Sequence, residues 1–156
     1  MPNPKAQLLA TIVNAVDFKP LVAGQAFQCS TATLSMNPNP QNGVTLSGTV
    51  PDQCVTVTAA VDLVFTFAAG PTNREVYYPV GLTLESLIDG GEVLPEQRAL
   101  FPTLVIDSTG ISQGLPSMTL TDLDNDPSDN NYDFYLMIQR GSDGAIGIID
   151  PKITNQ

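Results

Sequence analysis

The segment Asp122-Leu-Asp-Asn-Asp-Pro-Ser-Asp-Asn-Asn-Tyr-Asp133 is the one place where groups able to do chemistry crowd together. Asp122, Asp124, Asp126, Asp129 and Asp133 fall within twelve residues, and Ser128, Asn130 and Asn131 add further oxygens. Hard cations such as calcium take about six to eight oxygen ligands, which a flexible Asp/Asn loop can supply. The D-x-D-x-D opening has the ligand spacing of an EF-hand loop. However, Pro127 stands where that loop needs glycine, Asp133 replaces its bidentate glutamate, and the flanks read as strands. Asp, Asn, Pro and Ser are also what solvated turns are made of. The five aspartates are therefore candidate calcium ligands weighed against a plain turn, and no cofactor other than calcium is expected.

The rest of the composition narrows the chemistry further. The chain has no histidine. That removes Ser-His and Cys-His nucleophile pairs, an imidazole base near neutral pH, and the common zinc sites. No G-x-G-x-x-G or Walker-type loop is present to cradle nucleotide phosphates. A carboxylate pair, as in glycoside hydrolysis, is the remaining catalytic option. The 16 acidic residues make such pairs easy to find by chance, while the lack of tryptophan removes a common sugar-stacking platform. A carboxylate hydrolase thus stands as a lesser alternative, and no catalytic residue is assigned. Tyr77 and Tyr78 point to opposite faces of any strand, so at most one of them is in the core.

The net charge is −10, with 16 acidic residues against 6 basic ones and no Lys/Arg cluster. Nucleic acid and anionic membrane surfaces are expected to be repelled, and no apolar run is long enough to cross a bilayer as a helix. Leu8 to Val16 lacks the basic start, continuous apolar middle and small-residue cleavage site of a secretory signal. Cys29 and Cys54 are either reduced thiols or one bridge closing a long loop. With no secretory signal, the expectation is a cytoplasmic protein with free thiols.

The elements that position these groups are strands. In Val55 to Phe67, VTVTAAVDLVFTF, every odd position is apolar and most even ones are polar, the pattern of a half-buried strand. The run is longer than a usual strand, which predicts a bend or break near Ala59-Ala60. Leu8 to Val16, Gln25 to Leu34, Val44 to Val50, Thr103 to Asp107 and Ser117 to Thr121 read as further strands. In Val76 to Glu85, Val76, Tyr78, Val80, Leu82 and Leu84 are expected to face in; Pro79, which cannot donate to a ladder, predicts an edge position or a bulge. Pro95 to Leu100 suits a single helical turn starting at proline. Tyr132 to Arg140, Gly141-Ser-Asp-Gly144 and Ala145 to Ile149 read as a β-hairpin. With 156 residues, one domain is expected: an all-β antiparallel sandwich of about eight strands, immunoglobulin-like or with jelly-roll topology.

The last stretch, YDFYLMIQRGSDGAIGIIDPKITNQ, resembles the closing hairpin of a group of bacterial β-sandwich proteins, the DP-EP family and the inclusion-body proteins of the PixA/AidA type. In that group a final strand runs into an Asp-Pro-x-Ile step, here Asp150-Pro151-Lys152-Ile153, and Tyr78-Pro79-Val80-Gly81 is similar to one of its mid-chain strands. The resemblance implies a small cytosolic bacterial sandwich without established chemistry. The expected function is a non-enzymatic module for protein binding or self-association, since sheet edges can be extended by a neighbouring chain.

Overall fold

The computed structural model describes residues 2–13, 32–50, 53–71, 74–86, 95–109, 114–124, 131–149 and 152–156. Cys29, Asp126, Asp129, Asp150-Pro151 and most of the strand expected over Gln25 to Leu34 lie outside the described residues. In chain order the strands are β1 (Lys5–Ile12), β2 (Ala32–Ser35), β3 (Val44–Ser47), β4 (Cys54–Val57), β5 (Val61–Ala69), β6 (Tyr77–Ser86), β7 (Leu104–Asp107), β8 (Ser117–Asp122), β9 (Asn131–Arg140), β10 (Ile146–Ile149) and β11 (Lys152–Asn155). One helical turn, α1 (Pro95–Arg98), interrupts them as its proline start predicts. The first sheet has the order β2-β1-β5-β8-β7. The second runs β10-β9-β11-β4-β3, with β6 along the other side of β9.

The long alternating run resolves into two strands in different sheets. β4 belongs to the second sheet and β5 to the first, so the chain crosses the sandwich at 58–60. Facing sheets share one interior, and the residues that point inward before the corner keep the same parity after it. Val55, Val57, Val61, Leu63, Phe65 and Phe67 are all buried. Across the interior, the Phe65 and Phe134 rings lie 5.5 Å apart at 50°, within the range of favourable offset contact.

Two features depart from the all-antiparallel expectation of about eight strands. There are eleven strands among the described residues, and both sheets are mixed: β1 pairs β5 in parallel and β11 pairs β4 in parallel. Alternation marks which residues face in and carries no information on the direction of a neighbouring strand. β10 and β11 occupy the same side of β9 in one register, Ile149 opposite Leu136 and Lys152 opposite Asp133.

β6 corrects half of its expected facing. The β6–β9 register shifts between Pro79 and Gly81, where proline predicted a bulge. An extra residue inverts the side-chain parity on one side of it. Leu82 and Leu84 pack on the core as expected. Before the bulge the faces are reversed: Tyr77 is 2% exposed, whereas Val76, Tyr78 and Val80 are exposed.

The β9–β10 hairpin forms as predicted. Arg140 N–H donates to Ala145 O at 2.9 Å, and Gly144, at φ +73°, supplies the left-handed residue that closes the turn. Asp143 pins it, accepting from Arg140 Nε at 2.9 Å, Arg140 Nη2 at 2.6 Å and the Ala145 N–H at 3.1 Å. The hydrogen bond from Arg140, followed by that from Ala145, lowers the Asp143 carboxyl to about 2. Arg140 is shifted upward by the same contact.

Candidate functional site

The acidic segment begins as a structural anchor. Asp122 ends β8 on the inward parity set by Met118 and Leu120, and it is 0% exposed. Its Oδ1 accepts the Asp124 N–H at 2.9 Å and Asn155 Nδ2 at 3.1 Å. The first bond curls the chain into an Asx-turn, with Asp124 at φ +47°. The second ties the first sheet to the second, because Asn155 lies on β11. Asp133 is placed differently. It sits between the buried Tyr132 and Phe134 on β9, so it points to the outer face of the second sheet, in register with Lys152. Asp122 and Asp133 are thus on opposite sides of that sheet. Among the described residues no three Cys, Asp or Glu side chains gather as a metal-holding group.

A second pair of carboxylates, Asp62 and Asp107, lines an open depression on the outer face of the first sheet, together with Lys5, Gln7 and Val105. Both are engaged in local structure. Asp62 Oδ1 accepts from Thr121 Oγ1 at 2.9 Å and Asn3 Nδ2 at 3.4 Å. Asp107 Oδ1 accepts from Thr109 Oγ1 at 2.8 Å and the Thr109 N–H at 3.2 Å.

The two lateral sides of the sandwich differ sharply in how they treat sheet edges. On one side side-chain amides stand in for missing strands. Gln53 Oε1 accepts the Leu34 N–H at 2.7 Å while its Nε2 donates to Leu34 O at 2.9 Å, closing the β2 edge in a buried setting. Asn39 does the same for β3, accepting the Leu46 N–H at 3.0 Å and donating to Leu46 O at 2.8 Å. Val44 exchanges backbone bonds of 2.9 and 2.8 Å with Gln41 around Asn42-Gly43. Those two residues have φ of 50° and 80°, the left-handed pair of a type I′ turn. The Gln41 and Asn42 side chains then reach β1, at Gln7 N–H and Lys5 O, beyond the stretch that β2 covers. Every one of these contacts occupies backbone groups that another chain would otherwise pair with.

The opposite side, where β6 lies against β7 and β8, is apolar and open. Val76, just before β6, and Tyr78 and Val80 on it are exposed, as are Leu104, Val105 and Ile106 on β7, Val105 by 61%. Between β6 and the β7–β8 connection runs an open groove of about 680 Å³, lined by Val76, Tyr78, Val80, Thr109, Pro116 and Gln139. β6 is interrupted as a pairing edge. Gly141 N–H donates to Val76 O at 2.8 Å, and hydrogen-bonded positions alternate, so Pro79 lies on the side turned away from β9, where it offers no donor. β7 carries no such interruption within Leu104–Asp107.

These exposed rows were only half visible in the sequence. The β6 row was hidden by the bulge. The β7 row had a signal: Leu104-Val105-Ile106 does not alternate, so a half-buried strand cannot account for all three side chains.

No protein-family model matches the sequence, and no curated protein matches it. Among solved structures, the chain is similar to the crystal structure of an inclusion body protein (PixA) from Burkholderia cenocepacia J2315. The TM-score is 0.61 at 10% sequence identity, covering 100% of this chain and 97% of that one. The likeness is one of fold, and it extends over the whole sandwich.

Proposed function

We propose that this protein is a non-enzymatic β-sandwich module whose function is self-association in the bacterial cytoplasm. The observation that carries this is the concentration of exposed apolar side chains at β6 and β7, on a lateral side where no side-chain amide closes a strand edge among the described residues. Exposed apolar side chains gathered on one side of a domain mark an interaction surface, and on a chain of net charge −10 such uncharged rows are where repulsion between copies is weakest. The shared fold with a protein described as an inclusion body protein supports the same assignment. Among the described residues no helix is long and apolar enough to cross a membrane. Sedimentation velocity over a wide concentration range tests the proposal: reversible growth in size is expected, and a monomer at every concentration refutes it.

A second reading places calcium at the root of the acidic segment. Two oxygen-bearing groups favour it: the Asp122 carboxylate, wholly buried where the segment begins, and Asn155 Oδ1 beside it, buried and accepting no hydrogen bond among the described residues. Asp124, Asp126 and Asp129 would be the further ligands; Asp133, across the sheet on its outer face, drops out of the set expected from the sequence. A ligand that binds only the folded state raises the melting midpoint by mass action. A rise in millimolar calcium, absent with magnesium and lost in Asp124→Ala, is the expected result; identical melts in chelator and calcium remove this reading.

A further inference from the structure

Resting on the self-association just proposed, we infer that its contact is an antiparallel pairing of β7 with β7 of a second copy, about a two-fold axis at Val105. The backbone fixes which groups are available. Thr121 N–H donates to Thr103 O at 3.0 Å, and the β7–β8 register continues from there with Leu104 opposite Leu120 and Val105 opposite Thr119. Hydrogen-bonded positions alternate along an antiparallel pair. Thr103, Val105 and Asp107 therefore turn their N–H and C=O toward β8, while Leu104 and Ile106 turn theirs away. Among the described residues nothing pairs with those outward groups.

This edge is its own complement. With a two-fold at Val105, Leu104 of one copy stands opposite Ile106 of the other, and each pair exchanges N–H···O=C bonds in both directions. Val105 meets Val105 as the central non-hydrogen-bonded pair, where side chains approach most closely. Asp107 falls opposite Thr103 of the second copy, so the carboxylates are not set against each other. Leu104, Val105 and Ile106 carry no charge, which matters in a chain of net charge −10. A self-complementary patch closes as a symmetric dimer instead of growing into an open filament.

The other edges offer less. β2 and β3 are occupied by Gln53, Asn39 and Gln41, and β6 is broken by Pro79 and its bulge. β10 lies in line with β11 on one side of β9, and β4 and β3 extend the sheet on that same side, so the rim there is β3. That leaves β7. The pairing would join two five-stranded sheets into one continuous sheet across the dimer.

Disulfide trapping tests this directly. Cα atoms of a non-hydrogen-bonded pair lie about 4.5 Å apart, a separation that a disulfide spans. In a background of Cys29→Ser and Cys54→Ser, Val105→Cys is expected to oxidise to a covalent dimer, and Thr45→Cys, exposed on the closed side, is not. Ile106→Pro removes an outward N–H and spares the bonds to β8; it should weaken dimerisation at least about tenfold with little change in melting midpoint. If Ile106→Pro does not fold, Val105→Lys, at the exposed centre of the edge, supplies the same comparison. A wild-type protein that associates while Val105→Cys fails to cross-link and Ile106→Pro or Val105→Lys associates unchanged overturns the β7 pairing and leaves self-association standing. A strictly monomeric wild type removes both.

Discussion

Gln53→Ala gives the sharpest check on how the closed side of the sandwich is built. The Gln53 amide satisfies both backbone groups of Leu34, at 2.7 and 2.9 Å, and both residues are buried. Truncation leaves an N–H and a C=O without partners. A buried polar group stripped of its partner costs about 1–3 kcal/mol, whereas one that water can reach loses only about 0.5–1.5 kcal/mol. The site lies at a sheet edge, so partial hydration brings the expected total to about 2–4 kcal/mol. For a chain of this length that is a fall in melting midpoint on the order of 5–15 °C. Asn39→Ala is the matched control: it removes the same pair of bonds from Leu46 in an exposed setting, and is expected to cost no more than about 1 kcal/mol. Gln53→Glu keeps the acceptor but loses the donor and sets a carboxylate against the Leu34 carbonyl. It should be costly at pH 7 and recover as acid restores a donating O–H. Urea unfolding of the three variants reads the costs. Equal losses for Gln53→Ala and Asn39→Ala, or a Gln53→Ala loss below about 1 kcal/mol, would refute the claim that burial makes this amide important.

Two further outcomes follow from the turns. Gly43→Ala places a Cβ 3.1 Å from Ala59 Cβ at a residue with φ +80°, and should cost about 1–3 kcal/mol by urea unfolding; Gly81→Ala, which meets nothing within 4 Å, should be neutral or slightly stabilising. Asp143 titrates at about 2 in the folded chain against an ordinary 3.8. Its contribution to the hairpin is therefore complete above 3.8 and lost as pH falls through about 2. An NMR titration of the Asp143 carboxyl should show that midpoint, together with faster Ala145 amide exchange at its acid end. A midpoint near 3.8 would mean that the Arg140 contact does not persist in solution.

Local chemistry alone determined much of this protein. Alternation in Val55 to Phe67 identified core residues that are all buried except Ala59, Gly-Ser-Asp-Gly marked the β9–β10 hairpin, Pro79 marked a bulge, and Pro95 marked the helical turn. Each of these depends on the residues themselves and their immediate neighbours, which is why it can be read from the chain. Only the tertiary structure decided the rest. The crossing between sheets at 58–60 is invisible because inward parity is the same on both sides of a sandwich corner. The parallel pairings of β1 with β5 and of β4 with β11 are invisible because alternation has no direction. The candidate site is a property of edges, and an edge exists only once strand order is set. Gln53, Asn39 and Gln41 look like ordinary polar residues until they meet Leu34, Leu46 and β1. The bareness of Leu104 to Ile106 is apparent only because the structure shows that no comparable amide reaches them among the described residues.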